Sequence, residues 1–150
     1  MAPSKGLVTT TASTSAPETA RGWHAFKVAG YSLHRGLGAG RYIRSATFFV
    51  GGHGWSLRYY PDGHAGVENR PFVSVYLELV ATKRSVDEVR AVYILRLRDQ
   101  LTGASKVIFN PVTPSTFSRA TPAWGARCMV QAEDRAGAWR RRASCSTTAS

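Results

Sequence analysis

The chain has 150 residues, of which 43% are hydrophobic, which is enough for one packed domain. No segment approaches the roughly 20 apolar residues of a membrane-spanning helix, and the amino-terminal segment lacks the hydrophobic centre of a signal peptide. The formal net charge is +11, and two cysteines are too few for a disulfide framework. We therefore expect one domain outside the membrane, located in the nucleus, the cytoplasm or both.

The first 20 residues differ in composition from the rest of the chain. They are rich in Ser and Thr and contain two prolines and few apolar side chains. Such a segment buries too little apolar surface to offset the entropy lost on ordering. We predict a disordered leader over residues 1–20 and a folded domain over residues 21–125.

The first half of this domain contains three predicted strands. Residues 23–29 form the first, and the glycine-rich residues 36–40 follow it. Residues 43–50 are rich in β-branched and aromatic side chains, whereas residues 51–54, Gly-Gly-His-Gly, are typical of a turn. Because residues 55–60 then alternate in polarity, residues 43–60 predict a β-hairpin.

The clearest strand of the sequence covers residues 72–80. Its aliphatic face consists of Val73, Val75, Leu77 and Leu79, and its other face of Phe72, Ser74, Tyr76 and Glu78. Residues 89–97 and 105–109 give further strand patterns, and no amphipathic helical stretch of twelve or more residues separates them. Short strands at short intervals predict an all-β fold, an antiparallel β-sandwich.

The positive charge is spread along the chain. Basic residues stand mostly alone or in pairs, and the one run is Arg140, Arg141 and Arg142. We interpret them as scattered surface residues and do not expect nucleic acid as a partner. A basic β-domain associated with nucleic acid is the alternative hypothesis, for which steep salt dependence of binding would be the sign.

The sequence does not predict an enzyme, a metal site or a cofactor. The histidines are ten or more residues apart and no Cys-x-x-Cys pair accompanies them, unlike typical metal ligands. The six acidic residues of the folded domain form no convincing constellation with a histidine. Gly36, Gly38 and Gly40 superficially match a phosphate-binding loop, but a strand follows them where that motif requires a helix.

Several segments, taken in order, resemble the MATH domain of plant MATH-BTB proteins. They are Gly-Tyr-Ser-Leu at 30–33, Ile-Arg-Ser-Ala-Thr-Phe at 43–48, Val-Gly-Gly-His-Gly-Trp at 50–55, Tyr-Tyr-Pro-Asp-Gly at 59–63, Val-Ser-Val-Tyr-Leu-Glu-Leu at 73–79, Val-Arg-Ala at 89–91 and Trp-Gly at 124–125. The resemblance covers about residues 23–125 and implies a TRAF-like sandwich.

The resemblance also implies a function. In that family the MATH domain is the substrate-recognition module of cullin-type ubiquitin ligases and holds short Ser/Thr-rich degron segments in a shallow groove, while a BTB domain docks the cullin. Matched by position, Tyr76, Tyr93 and Trp124 are the implied peptide-binding aromatics, and Gly125 supports the turn beside them. No direct cullin binding is expected without a BTB domain.

The chain departs from the family pattern near its end. Ala126 stands where the family has Phe, and the family's groove tyrosine near Ser115 is absent. Residues 126–150 have no clear period, so we expect a divergent, disordered tail there. The sequence leaves open whether the sandwich has its closing strand, and a non-functional gene remnant is a further alternative.

Overall fold

The computed structural model describes residues 6, 9–16, 19–29, 31–64, 72–82, 88–98, 102–131 and 142–149. Within these ranges the chain forms ten strands and one short helix, α1, over Tyr31–His34. The strands are β1 (Ala20–Lys27), β2 (Ile43–Arg44), β3 (Phe48–Val50), β4 (His53–Tyr60), β5 (Phe72–Thr82), β6 (Glu88–Arg98), β7 (Ser105–Phe109), β8 (Ser115–Ser118), β9 (Ala123–Gln131) and β10 (Arg142–Ala149). No helix in this part is long and apolar enough to span a bilayer.

The strands form two antiparallel sheets, which confirms the predicted sandwich. The first sheet has the order β1-β10-β6-β7, and β8 also pairs with β6. The second sheet has the order β2-β4-β5-β9, and β3 also pairs with β4. All the pairings are antiparallel.

The core lies between the two sheets and follows the alternation of side chains along each strand. Trp55 and Leu57 of β4 and Leu77 of β5 are fully buried there. They face Tyr93, Leu95 and Phe117 of the first sheet, and the Trp55 and Phe117 rings meet edge to face at 5.0 Å. Each such side chain contributes about 1.5–3 kcal/mol by leaving water.

The predicted hairpin is present, but its first arm is broken in two. Gly51 and Gly52 have φ angles of 63° and 78°, the left-handed conformation that a tight hairpin turn requires. Between β2 and β3 the Ser45 hydroxyl accepts a hydrogen bond from the Leu57 amide at 2.9 Å. A side chain therefore replaces a backbone carbonyl at this point, and the regular ladder is interrupted.

The carboxyl-terminal segment differs from the expected disordered tail over residues 126–150. Strand β9 continues to Gln131, and β10 lies between β1 and β6 with Ala20 opposite Ala149 and Arg98 opposite Arg142. Residues 132–141 and 150 lie outside the described residues. The closing strand is therefore present. Residues 142–149 carry only small apolar residues at alternate positions, Ala143, Cys145 and Ala149, which gave a weak strand signal, but pairing on both sides uses backbone groups that every residue carries.

The amino-terminal residues 9–16 are exposed and have no regular secondary structure. Their disorder stays a prediction. The first strand begins at Ala20, three residues before the predicted start.

Candidate functional site

A groove of about 450 Å³ lies on the outer face of the second sheet. Strands β4 and β5 supply one side of it, and the turn before β9 together with the start of β9 supplies the other. The lining residues are Arg58, Tyr60, His64, Tyr76 and residues 120–125. The groove therefore combines a wall of ring systems with a wall that is largely backbone and small side chains.

The ring wall is built around Tyr76 of β5. The imidazole of His64 stacks on the Tyr76 ring at 4.6 Å, and the Tyr60 ring meets it edge to face at 5.5 Å. Tyr76 is only 8% exposed, but it points away from the core between the sheets and is covered by these outer-face neighbours. The predicted binding residue thus lies in the groove wall, held in one orientation by its packing.

Gly125 lies in β9 opposite Tyr76, not in the turn that the resemblance implied. A Cβ atom added to Gly125 would lie 2.1 Å from the Val75 carbonyl oxygen and 2.6 Å from the Tyr76 Cα. Glycine is therefore required for β9 to approach β5 this closely. The absence of a side chain here therefore brings the β9 backbone directly beside Tyr76.

Trp124 lies at the edge between the two sheets and is 42% exposed. Its partner in the register is the core residue Leu77, so it is directed toward the first sheet. The indole Nε1 donates a hydrogen bond to the Thr116 carbonyl oxygen of β8 at 2.7 Å. Trp124 therefore connects the two sheets and lines one end of the groove.

Tyr93 is not in the groove, which corrects its assignment as a peptide-binding residue. It is fully buried in the core, with its ring stacked 5.5 Å from that of Phe109. A buried ring cannot contact a bound peptide while the sandwich stays packed. The sequence could not show this, because apolar residues occupy both faces of the central part of β6.

Next to the groove lies a charged cluster that sequence reasoning missed. The carboxylate of Glu78 accepts hydrogen bonds from Arg44 at 2.9 and 3.0 Å, from Arg58, and from the Ser56 hydroxyl at 3.2 Å. Burial opposes ionisation of Glu78, but the hydrogen bond and charge of Arg58 and the charge of Arg44 outweigh it and lower the pKa of Glu78. Conversely, the hydrogen bond to Glu78 raises the pKa of Arg58.

A second aromatic ring links this cluster to the groove. The Arg58 guanidinium lies 4.7 Å from the centre of the Tyr42 ring, and the Arg44 guanidinium lies 5.6 Å from it. The same ring lies 5.2 Å from that of Tyr60. Arg58 is therefore held between Glu78 and Tyr42 where it borders the groove.

The glycine-rich stretch is fixed by Asp62, another residue without a predicted role. The Asp62 carboxylate accepts hydrogen bonds from the Gly36 and Gly38 amides, each at 2.9 Å, and lies 3.5 Å from Arg35. Two of the amides that a phosphate-binding loop would offer are therefore occupied by the protein's own carboxylate. Asp62 also anchors the loop beside the turn that leads to His64.

Within the described residues, no three His, Cys, Asp or Glu side chains come together as potential metal ligands. The groove instead offers ring faces, an arginine and backbone groups, which suit a segment of polypeptide. An antiparallel sandwich with such a groove defines a protein-interaction module.

The chain belongs to the MATH family, since the family model described as MATH domain matches residues 23–134. It is 43% identical over 91 residues to the BTB/POZ and MATH domain-containing protein 4 of Arabidopsis thaliana, covering 61% of this chain and 19% of that protein. It is 40% identical over 94 residues to BTB/POZ and MATH domain-containing protein 5 of the same plant, covering 63% of this chain and 22% of that protein. The chain thus spans about a fifth of the length of these relatives.

Proposed function

We propose that the groove binds a short extended segment of a partner protein. The observation that carries the proposal is the groove itself, in which Tyr60, His64 and Tyr76 form one wall and residues 120–125 form the other. A single apolar side chain of the partner would lie against these rings, where its burial is favourable and the walls are already ordered.

The backbone of the partner would run along the β9 side of the groove. Strand β9 is the last strand in the order of the second sheet, so among the described residues one side of its backbone has no neighbouring strand in that sheet. An extended peptide gains main-chain hydrogen bonds at such an edge. The arrangement therefore supports recognition by one anchored side chain and an extended main chain.

We propose further that the partners are substrate proteins with Ser/Thr-rich segments, presented for ubiquitination in the nucleus or the cytoplasm. The relatives are named for a BTB/POZ domain together with a MATH domain, and resemblance to that family supports the role of the MATH domain as the receptor. Small hydroxyl side chains suit the backbone-lined wall at residues 120–123, because they approach carbonyl and amide groups without steric conflict.

Peptide binding by groove variants tests this proposal. We expect Tyr76→Ala and Trp124→Ala each to weaken binding of a fluorescent Ser/Thr-rich peptide by about 1–3 kcal/mol, as is usual for interface anchors. Because Tyr76 also packs against its neighbours, Ala120→Trp is the sharper variant. Ala120 is exposed in the turn that lines the groove, so a large ring there should fill the space without disturbing the core.

The matched control is Trp23→Ala, which removes an exposed tryptophan from the other sheet. Its peptide affinity should equal that of the unaltered chain. The groove assignment is wrong if Ala120→Trp binds the peptide normally while its circular dichroism and melting curve are unchanged. A matched peptide with Ala in place of Ser and Thr should bind more weakly, and equal affinity would remove the Ser/Thr preference.

A further inference from the structure

The outer face of the first sheet carries basic side chains that neither the core nor the groove uses. Along β6 the inward residues are buried, which leaves Arg90, Arg96 and Arg98 on the outer side, and all three are exposed. Strand β1 adds Arg21 and Lys27, also exposed on its outer side. The residues are far apart in sequence, but the strand register collects them on one surface, called here the basic face.

Among the described residues, the basic face has little compensating charge. Glu88 is the acidic residue that β6 places on this side. Among the described residues, none of the five cations forms an ion pair within 4.0 Å; the ion pairs there involve Arg35, Arg44 and Arg58. Lys27, Arg142 and Arg98 occupy aligned positions on three neighbouring strands. An exposed surface of this kind attracts an anionic partner.

An exposed aromatic side chain lies on the same face. Trp23 of β1 is 77% exposed and aligns through Ser146 of β10 with Ile94 of β6. Strand spacing places Trp23 and the β6 row about 10 Å apart, with successive outward residues of β6 about 7 Å apart. A tryptophan ring on the same face as exposed arginines is a combination in which a base can stack while the backbone phosphates meet positive charge.

We propose that the basic face binds single-stranded nucleic acid. Four of the five cations are arginines, whose planar guanidinium groups bind phosphate oxygens in pairs and also stack on rings. An acidic peptide would neutralise the positive charge but would leave the Trp23 ring without a ring to stack on. A duplex has its base faces stacked inside the helix, so they cannot stack on Trp23. The register of the sheet thus brings basic residues that stand apart in the sequence onto one surface.

This surface is separate from the groove. The groove lies on the outer face of the second sheet, and the basic face lies on the outer face of the first, with the core between them. Nucleic-acid binding therefore does not depend on the peptide-binding proposal, and either can fail alone.

The test is the binding of the whole chain to a fluorescent strand of about 15 thymidines, measured by anisotropy from about 50 to 200 mM NaCl. We expect affinity to fall steeply with salt. Arg96→Ala and Arg98→Ala should each lower the slope of log affinity against log salt by about 0.7, the value for one phosphate contact with a single strand. Trp23→Ala should lower affinity about 10-fold and leave the slope unchanged, since stacking releases no counterions.

Arg41→Ala is the matched control, because it removes the same charge from an exposed loop residue outside the first sheet. Its affinity and slope should be those of the unaltered chain. A uridine strand of equal length should bind as thymidine does, and a duplex of equal length should bind without sensitivity to Trp23→Ala. The proposal fails if no strand binds at the lowest salt, or if Arg41→Ala lowers the slope as much as Arg96→Ala. It also fails if an oligoglutamate competes equally and Trp23→Ala has no effect, which would assign the face to acidic peptides.

Discussion

The arginines on the two outer faces of the sandwich differ in whether they form ion pairs. On the second sheet, Arg44 and Arg58 are tied to the nearly buried Glu78 and to the Tyr42 ring, and they border a groove. On the first sheet, Arg96 and Arg98 are exposed and form no ion pair within the described part of the chain. Cations fixed by partners shape a binding site, whereas cations left in solvent create an attractive surface.

The largest expected difference between the faces concerns their acidic residues. Glu78→Ala should lower the free energy of unfolding by about 2–3 kcal/mol, because it leaves two arginines without their carboxylate. This loss is smaller than that for a fully buried ion pair, since both arginines reach solvent. Glu88→Ala, on the outer face of the first sheet, should change the free energy of unfolding by less than about 0.5 kcal/mol. Urea denaturation of both variants measures the difference.

A pH series on Glu78→Gln provides the control for charge. The pKa of Glu78 is lowered in the folded protein, so its ionised form contributes stability above the ordinary carboxyl pKa, and that stability is lost as pH falls through the lower folded value. The gap in unfolding free energy between the unaltered chain and Glu78→Gln should therefore be constant near neutrality and shrink below about pH 4.5. A gap independent of pH would show that packing, not charge, is the contribution of Glu78.

A smaller difference is expected between one glycine of each sheet. Gly125→Ala would bring a methyl group against the backbone of β5, so it should lower the free energy of unfolding by about 1–3 kcal/mol and distort the β9 side of the groove. Gly22→Ala in β1 would meet the Cγ2 of Val50 at 2.6 Å, which a side-chain adjustment can relieve. Thermal melting should therefore show the larger loss for Gly125→Ala, together with weaker peptide binding. Equal losses would mean that β9 can move away from β5.

Much of the sandwich could be predicted because its central strands alternate clearly. Val73, Val75 and Leu77 were placed correctly in the core and Tyr76 on the outer side, since period-two polarity fixes the face of a strand. Strand β10 was not predicted, because its apolar positions carry only Ala and Cys among Ser and Thr, and the segment is held by backbone pairing on both sides.

The groove could be predicted only in part, since it depends on which strands become neighbours. Trp124 and Tyr76 followed from the family pattern, but Tyr93 did not reach the groove because β6 directs it inward. The role of Glu78 requires the pairing of β4 with β5, which places Ser56 opposite it. The same limit applies to the arginines of the basic face, whose proximity appears only in the register of the first sheet.

The most direct test of separate faces is to add both ligands to one sample. The Ser/Thr-rich peptide and the oligothymidine carry different dyes. We expect a saturating concentration of the oligothymidine to leave the peptide affinity unchanged. Ala120→Trp should abolish only peptide binding, and Trp23→Ala should weaken only strand binding. Displacement of the peptide by the strand, or loss of both activities in either variant, would contradict the assignment of the two ligands to opposite faces.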